Sequence, residues 1–160
     1  MKLALVAAAI AAIALPAAAR LGDLAGVLGG GASCPGCNLF QADFGSRTLK
    51  GKNFAGARLR QADLSSAVMN HVNFARADMR DVNGYAGVFS SASFAGTNLT
   101  NATFVGAYLQ GADFRGATLV GTNFSGAEMD HARGLTQGQL SRACGDGSTS
   151  LPRGLRLRAC

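Results

Sequence analysis

From Leu39 to Met129 a large apolar residue returns at every fifth position. Eighteen of the nineteen positions in this register are Leu, Phe or Met, and the exception is Gly84. No insertion breaks the count. Two residues before each of these centres, from Cys37 to Ala127, the side chain is small. Eleven of those nineteen are Ala, and only Arg47 and Lys52 are bulky and charged. A period of five fits neither regular structure. On an α-helix, five residues carry the face about 140° beyond a full turn and scatter the centres around the axis. On a straight strand an odd step puts successive centres on opposite faces. A chain that turns inward at every repeat points every centre at a common axis, fits the small residue inside as well, and stacks turn on turn.

The repeats themselves, "QADFG", "RQADLSS", "GADFRGATL" and "SFAGTNLTNATF", resemble the pentapeptide-repeat family, with its Ala-(Asp/Asn)-(Leu/Phe)-x-x pattern. The resemblance covers roughly Cys37 to Asp130. It implies an all-β solenoid, a right-handed quadrilateral β-helix with four pentapeptides per coil. The sequence offers its own check on the four sides. Every twentieth residue gives one column of Phe54, Phe74, Phe94 and Phe114, and another of Leu39, Leu59, Met79, Leu99 and Leu119. Nineteen units make about five coils, roughly 23 Å tall at a strand-like spacing. Gly84, in "DVNGYAGVF", marks an irregularity, with Tyr85 expected to swing in or the coil to bulge, and "NG" suiting a positive-φ turn.

A solenoid needs its ends covered. In "GLTQGQLSRACG", Thr136 and Gln139 form a capping-box pattern, with Leu135 and Leu140 at staple positions. A short helical cap is therefore predicted near Gln137 to Ala143, ended by Gly145, with Leu140, Leu151 and Leu155 covering the last coil. This ending also resembles the tails of exported bacterial pentapeptide proteins.

The N-terminus changes the setting. "MK", the apolar run "LALVAAAIAAIALP" and the small residues Ala17 to Ala19 form a signal-peptide pattern, with cleavage expected after Ala19. The alanine-rich run is too short for a good membrane span. The chain then divides into a signal peptide (1–19), a Gly-rich lead-in (20–33), the pentapeptide-repeat β-helix (34–132) and a C-terminal cap and basic tail (133–160). The expected destination is the bacterial periplasm or the medium, where cysteines pair. Bridged Cα atoms must lie within about 7 Å. Cys34 and Cys37 fall at one end of the stack and Cys144 and Cys160 near the other, so the expected bridges are Cys34–Cys37 and Cys144–Cys160.

Charge refines this little. The net charge of +6 is mainly a tail property, with five Arg and one Asp from Arg133 onward. Such a tail can meet anionic lipid or a polyanion, although a solvated, soluble end is the simpler reading. Along the stack, Arg47 to Arg80 carries net +5 and Asp81 to Asp130 net −3, a polarity that could orient a partner.

No catalytic constellation, metal site or cofactor site emerges. His71 and His131 lie three coils apart on one side, about 14 Å, too far to share a metal. Asp43, Asp63, Asn83 and Asn123 recur because the repeat uses them at its turns. Gly106, Gly111, Gly116, Gly121 and Gly126 recur as corner residues. One outward column, Thr48, Val68, Val88, Tyr108 and Glu128, carries an apolar stripe. Val68, Val88 and Tyr108 form the candidate interaction surface, set against ordinary cross-coil packing of β-branched residues.

The expectation is a non-enzymatic, exported interaction or structural module with an unknown protein partner and no nucleic acid. Two rivals remain. Some members of the family that the repeat resembles mimic a DNA duplex and protect gyrase from quinolones. A signal-like start and a near-neutral repeat surface disfavour that role here. A thiol redox role for "CPGC" would need a helix start to lower a thiol pKa, whereas this stretch opens the repeat.

Overall fold

The computed structural model describes residues 26–27 and 33–160. The expected signal peptide and most of the lead-in lie outside the described residues.

One repeat shows how the chain closes. Leu59 donates its amide to the Asp78 carbonyl at 2.7 Å and Gln61 to that of Arg80 at 3.0 Å, both on the next coil. Ala62 N–H turns back to the Leu59 carbonyl at 3.0 Å, and Asp63 N–H reaches the preceding coil at Ala42, 2.9 Å. Four of the five amides are thus paired within the backbone, as a buried backbone requires. The fifth follows the centre, and where the residue before the centre is Asp or Asn that side chain accepts it. Asp43, Asp63, Asn83 and Asn123 bond the amides of Gly45, Ser65, Tyr85 and Ser125 at 2.9 to 3.2 Å. The recurring Asp and Asn are scaffold residues, as expected.

The corner lies two residues after each centre. Every fifth residue from Gly36 to Gly126 has a positive φ, between 51° at Ala86 and 72° at Gly36. Glycine fills the corner throughout Gly106 to Gly126, where the sequence pointed to it, but Gln, Ser, His, Arg, Asp, Ala and Asn fill others.

Four parallel ladders run up the sides at a spacing of twenty residues. They start at Asn38, Asp43, Thr48 and Asn53 and pass through Arg58, Asp63, Val68 and Asn73. Each side contributes a single bridging residue per coil, because a corner every five residues leaves no room for a longer strand. The solenoid is therefore held by isolated bridges rather than extended strands.

All eighteen apolar centres are buried, with none above 4% exposure. The Phe column stacks as the twenty-residue reading predicts, with ring centroids 5.8, 5.4 and 5.1 Å apart from Phe54 to Phe114 and planes within 19° of parallel. The small positions are buried too from Ala57 to Ala127. Thr97 and Thr122 sit inside by donating their hydroxyls to the Phe74 and Leu99 carbonyls at 2.7 and 2.9 Å. Arg47 is exposed and Lys52 half-buried, both on the first repeat coil. Val27, which the five-residue register did not reach, is 2% exposed and joins the same core.

The Gly84 gap resolves differently from expectation. Tyr85 is 54% exposed and does not turn in. The coil does not bulge, since Gly84 N–H still bonds the Thr103 carbonyl at 2.7 Å. Positive φ falls not at Gly84 but at Ala86, in the ordinary corner position. The space is taken by neighbouring rings. A Cβ on Gly84 would lie 2.7 Å from the Phe104 ring, and one on Gly87 2.5 Å from that of Phe89. These two rings meet edge-on, 5.4 Å apart.

After Ala132 the register breaks. The helix α1 is Gln137–Leu140, shorter than the predicted stretch to Ala143. Its C-cap is Ser141, whose amide already bonds back to Gln137 and Gln139, and the chain turns directly into β1, Cys144–Gly145. The capping box is present: the Thr136 hydroxyl accepts from Gln139 N–H at 3.2 Å, and the Gln139 side chain accepts from Thr136 N–H at 2.8 Å. Gln139 has a second role, donating its Nε2 to the carbonyls of Phe114 and Ala117, both at 2.9 Å. Leu140 is buried, and Leu135, Leu151, Leu155 and Leu157 pack against the core. β2, Arg158–Ala159, pairs in parallel with β1.

Leu99→Asp places a carboxylate on the axis and should lower the melting temperature by unfolding several coils, measured by circular dichroism. An unmoved transition would contradict the inward assignment. Gly84→Ala should destabilise by about 1–3 kcal/mol in denaturant unfolding, because the buried Phe104 ring must shift.

Candidate functional site

The candidate stripe is brought together as predicted. Thr48, Val68, Val88, Tyr108 and Glu128 are successive bridge partners on one side, continuing to Ser150. Val68 and Val88 are half-buried by cross-coil contact, whereas Tyr108 is 45% exposed. The stripe thus opens to solvent mainly at its tyrosine. Beside it runs a polar column, Lys50, Asn70, Ser90, Gln110 and Asp130. Asn70 accepts from Ser90 N–H at 3.1 Å, and Gln110 donates to Asp130. That hydrogen bond, with smaller help from His131 and Ser150, holds the Asp130 carboxyl below its ordinary range.

Two arginine–aspartate pairs belong to the scaffold. Arg80 grips Asp78 with two bonds of 2.7 and 2.6 Å. Arg115 holds Asp113 in the same way two residues on. In each pair the arginine's side-chain hydrogen bond is the main force holding the carboxyl below the usual range. Both arginines reach into solvent, so each pair adds little stability.

His71 is exposed at a corner with φ of 59°. His131 is exposed and lies 2.9 Å from both Asp130 Oδ2 and Gln110 Oε1. Among the described residues no group of three His, Cys, Asp or Glu converges for a metal ion.

The cysteines pair as predicted, Cys34 with Cys37 and Cys144 with Cys160, at Cα separations of 5.5 and 4.8 Å. "CPGC" occupies an ordinary repeat, with Gly36 in the corner at φ 72° and Cys34 N–H bonded to the Asn53 carbonyl. It does not open a helix, the setting that lowers a thiol pKa. The second bridge ties the tail beside the last coil. Arg133, Arg142, Arg153, Arg156 and Arg158 are all exposed, but the backbone that carries the last of them is paired rather than loose.

One feature escaped the sequence reading. Phe40 is 51% exposed and lines an open cleft with Asn38, Arg58, Arg60, Asp78 and Arg80. Its signal was available, since it is the one Phe outside the five-residue register in the repeats. Six residues from three successive coils meet only because the coil repeat is twenty.

The pentapeptide-repeat family matches in eight copies over residues 37–74, 49–83 and 88–126. No curated protein matches the sequence. Among solved structures, the chain is similar to a pentapeptide repeat protein of the Arabidopsis thaliana thylakoid lumen, at 26% identity and a TM-score of 0.33, over 68% of this chain and 61% of that one. It is also similar to QnrB1, a plasmid-mediated fluoroquinolone resistance protein, at 16% identity and a TM-score of 0.46, over 79% of this chain and 87% of that one. A third is HetL, involved in heterocyst differentiation regulation in the cyanobacterium Nostoc sp. strain PCC 7120, at 22% identity and a TM-score of 0.25, over 79% of this chain and 81% of that one. The family match spans more than half of the sequence, and with it the chain belongs to the pentapeptide-repeat family of right-handed β-helical solenoids.

Proposed function

We propose that this chain is a non-enzymatic, exported solenoid of about five coils that presents a rigid surface to a protein partner. Helix α1 and the disulfide-tied tail close its C-terminal end. The observation that carries this reading is the fate of the polar side chains. The Asp and Asn of the repeat are spent on backbone amides, two Asp are gripped by neighbouring Arg, and the cysteines are paired. What remains for recognition is exposed surface, and the Val68–Val88–Tyr108 stripe joins apolar area to an exposed aromatic ring. Tyrosine is a favoured anchor in interfaces.

Export is supported by the signal-like segment 1–19 and by two bridges that suit an oxidising compartment. The periplasm or the medium is the proposed location, and the exposed arginines of the tail are proposed to keep that end solvated and available to anionic surfaces.

The test is a pull-down from periplasmic extract with wild-type and Tyr108→Ala protein. A partner retained by the wild type should be lost or weakened by about tenfold or more in the variant. Identical recovery by both proteins would remove the stripe from the account.

A further inference from the structure

The side that carries Asn38, Arg58, Asp78 and Asn98 opens near its N-terminal end into a cleft of about 530 Å³. Its wall is built in rows one coil apart: Asn38 and Phe40, then Arg58 and Arg60, then Asp78 and Arg80. We propose that this cleft binds a small monoanion, a carboxylate carried on a flat apolar body, with Arg58 and Arg60 taking the charge and Phe40 the apolar body.

Three observations lead there. The first is the distribution of charge. Arg80 is committed to Asp78 by two short bonds. Arg60 comes only to 4.0 Å of Asp81 Oδ2. Arg58 is exposed, and its guanidinium has no carboxylate partner among the described residues. The three arginines and two aspartates leave one positive charge unmatched, which suits a single anion.

The second is an unsatisfied donor. Arg60 Nε is buried and has no hydrogen-bond acceptor among the described residues. A buried N–H without a partner costs about 1–3 kcal/mol, and such a group in a folded protein calls for an explanation. The Arg60 side chain is 42% exposed, so it has room to rotate and turn its planar fork toward an incoming carboxylate. Guanidinium and carboxylate match in geometry as well as charge.

The third is Phe40. The other repeat Phe side chains sit on the axis at 0% exposure, whereas Phe40 stands 51% exposed one coil above Arg60. It gives the cleft an apolar wall beside its cationic one, the combination typical of a small-ligand site. The stripe of Val68, Val88 and Tyr108 lies on a different side, so the two sites are independent.

The test titrates benzoate, acetate and inorganic phosphate into the isotope-labelled full chain and follows backbone amide shifts. Benzoate should give saturable shifts centred on Phe40, Arg58 and Arg60. Arg60→Ala should weaken benzoate by about tenfold or more, the loss expected for a charge-assisted hydrogen bond. Phe40→Ala should bring benzoate down to the affinity of acetate. Arg115→Ala, on another side, should change nothing. If Arg60→Ala fails to fold, the exposed Arg58→Gln carries the same comparison. Absence of saturable shifts at these amides would overturn the proposal. So would binding untouched by Arg58→Gln, or acetate and phosphate binding as tightly as benzoate irrespective of Phe40→Ala.

Discussion

The fold depends on the left-handed corner two residues after each buried centre. Positive φ at every fifth residue from Gly36 to Gly126 turns the chain before a strand can lengthen. It also sets the next centre pointing at the same axis. For an L-residue this conformation costs roughly 1–2 kcal/mol. Burial of a Leu or Phe centre returns about 1.5–3 kcal/mol before entropy. A single repeat is therefore close to balance, and stability must come from coil-on-coil stacking, in the manner of other solenoids. The coil-to-coil amide bonds and stacked Phe rings are that coupling.

This constraint explains the division of labour among side chains. Inside, shape rules: a large centre and a small partner per repeat, with Thr admitted only where its hydroxyl reaches a carbonyl. At the ladder positions, Asp and Asn serve the one amide that the backbone leaves unpaired. At the C-terminal end, Gln139 and Thr149 give side-chain donors to the carbonyls of Phe114, Ala117 and Phe124. Little chemistry is left over, and what is left lies on the outer faces as stripes and clefts.

The inward centres, the twenty-residue columns, the capping box and both disulfide pairings were legible because each rests on spacing. Helix α1 was overextended because Ser141 to Ala143 read equally well as helix or turn, and only the path into β1 decides. At Gly84 the sequence showed a missing side chain but not which ring would fill the space. The answer is Phe104 from the next coil, whose ring meets that of Phe89 edge-on. The stripe of Val68, Val88 and Tyr108 could be read by counting, but the division into half-buried valines and an open tyrosine could not. The cleft beside Phe40 was not legible because Phe40 falls outside the register and the cleft forms only where residues of three coils stack.

The most direct measurement of the repeat rule is residue-resolved amide hydrogen exchange between Leu59 and Leu109. The account predicts strong protection at every centre and ladder residue. Fast exchange should recur on the five-residue grid at Arg60, Asn70, Ala95 and Val105, the residues after a centre whose amides have neither a backbone nor a side-chain acceptor among the described residues. Protection repeating every three or four residues, alternating along the chain, or absent at the centres would contradict it.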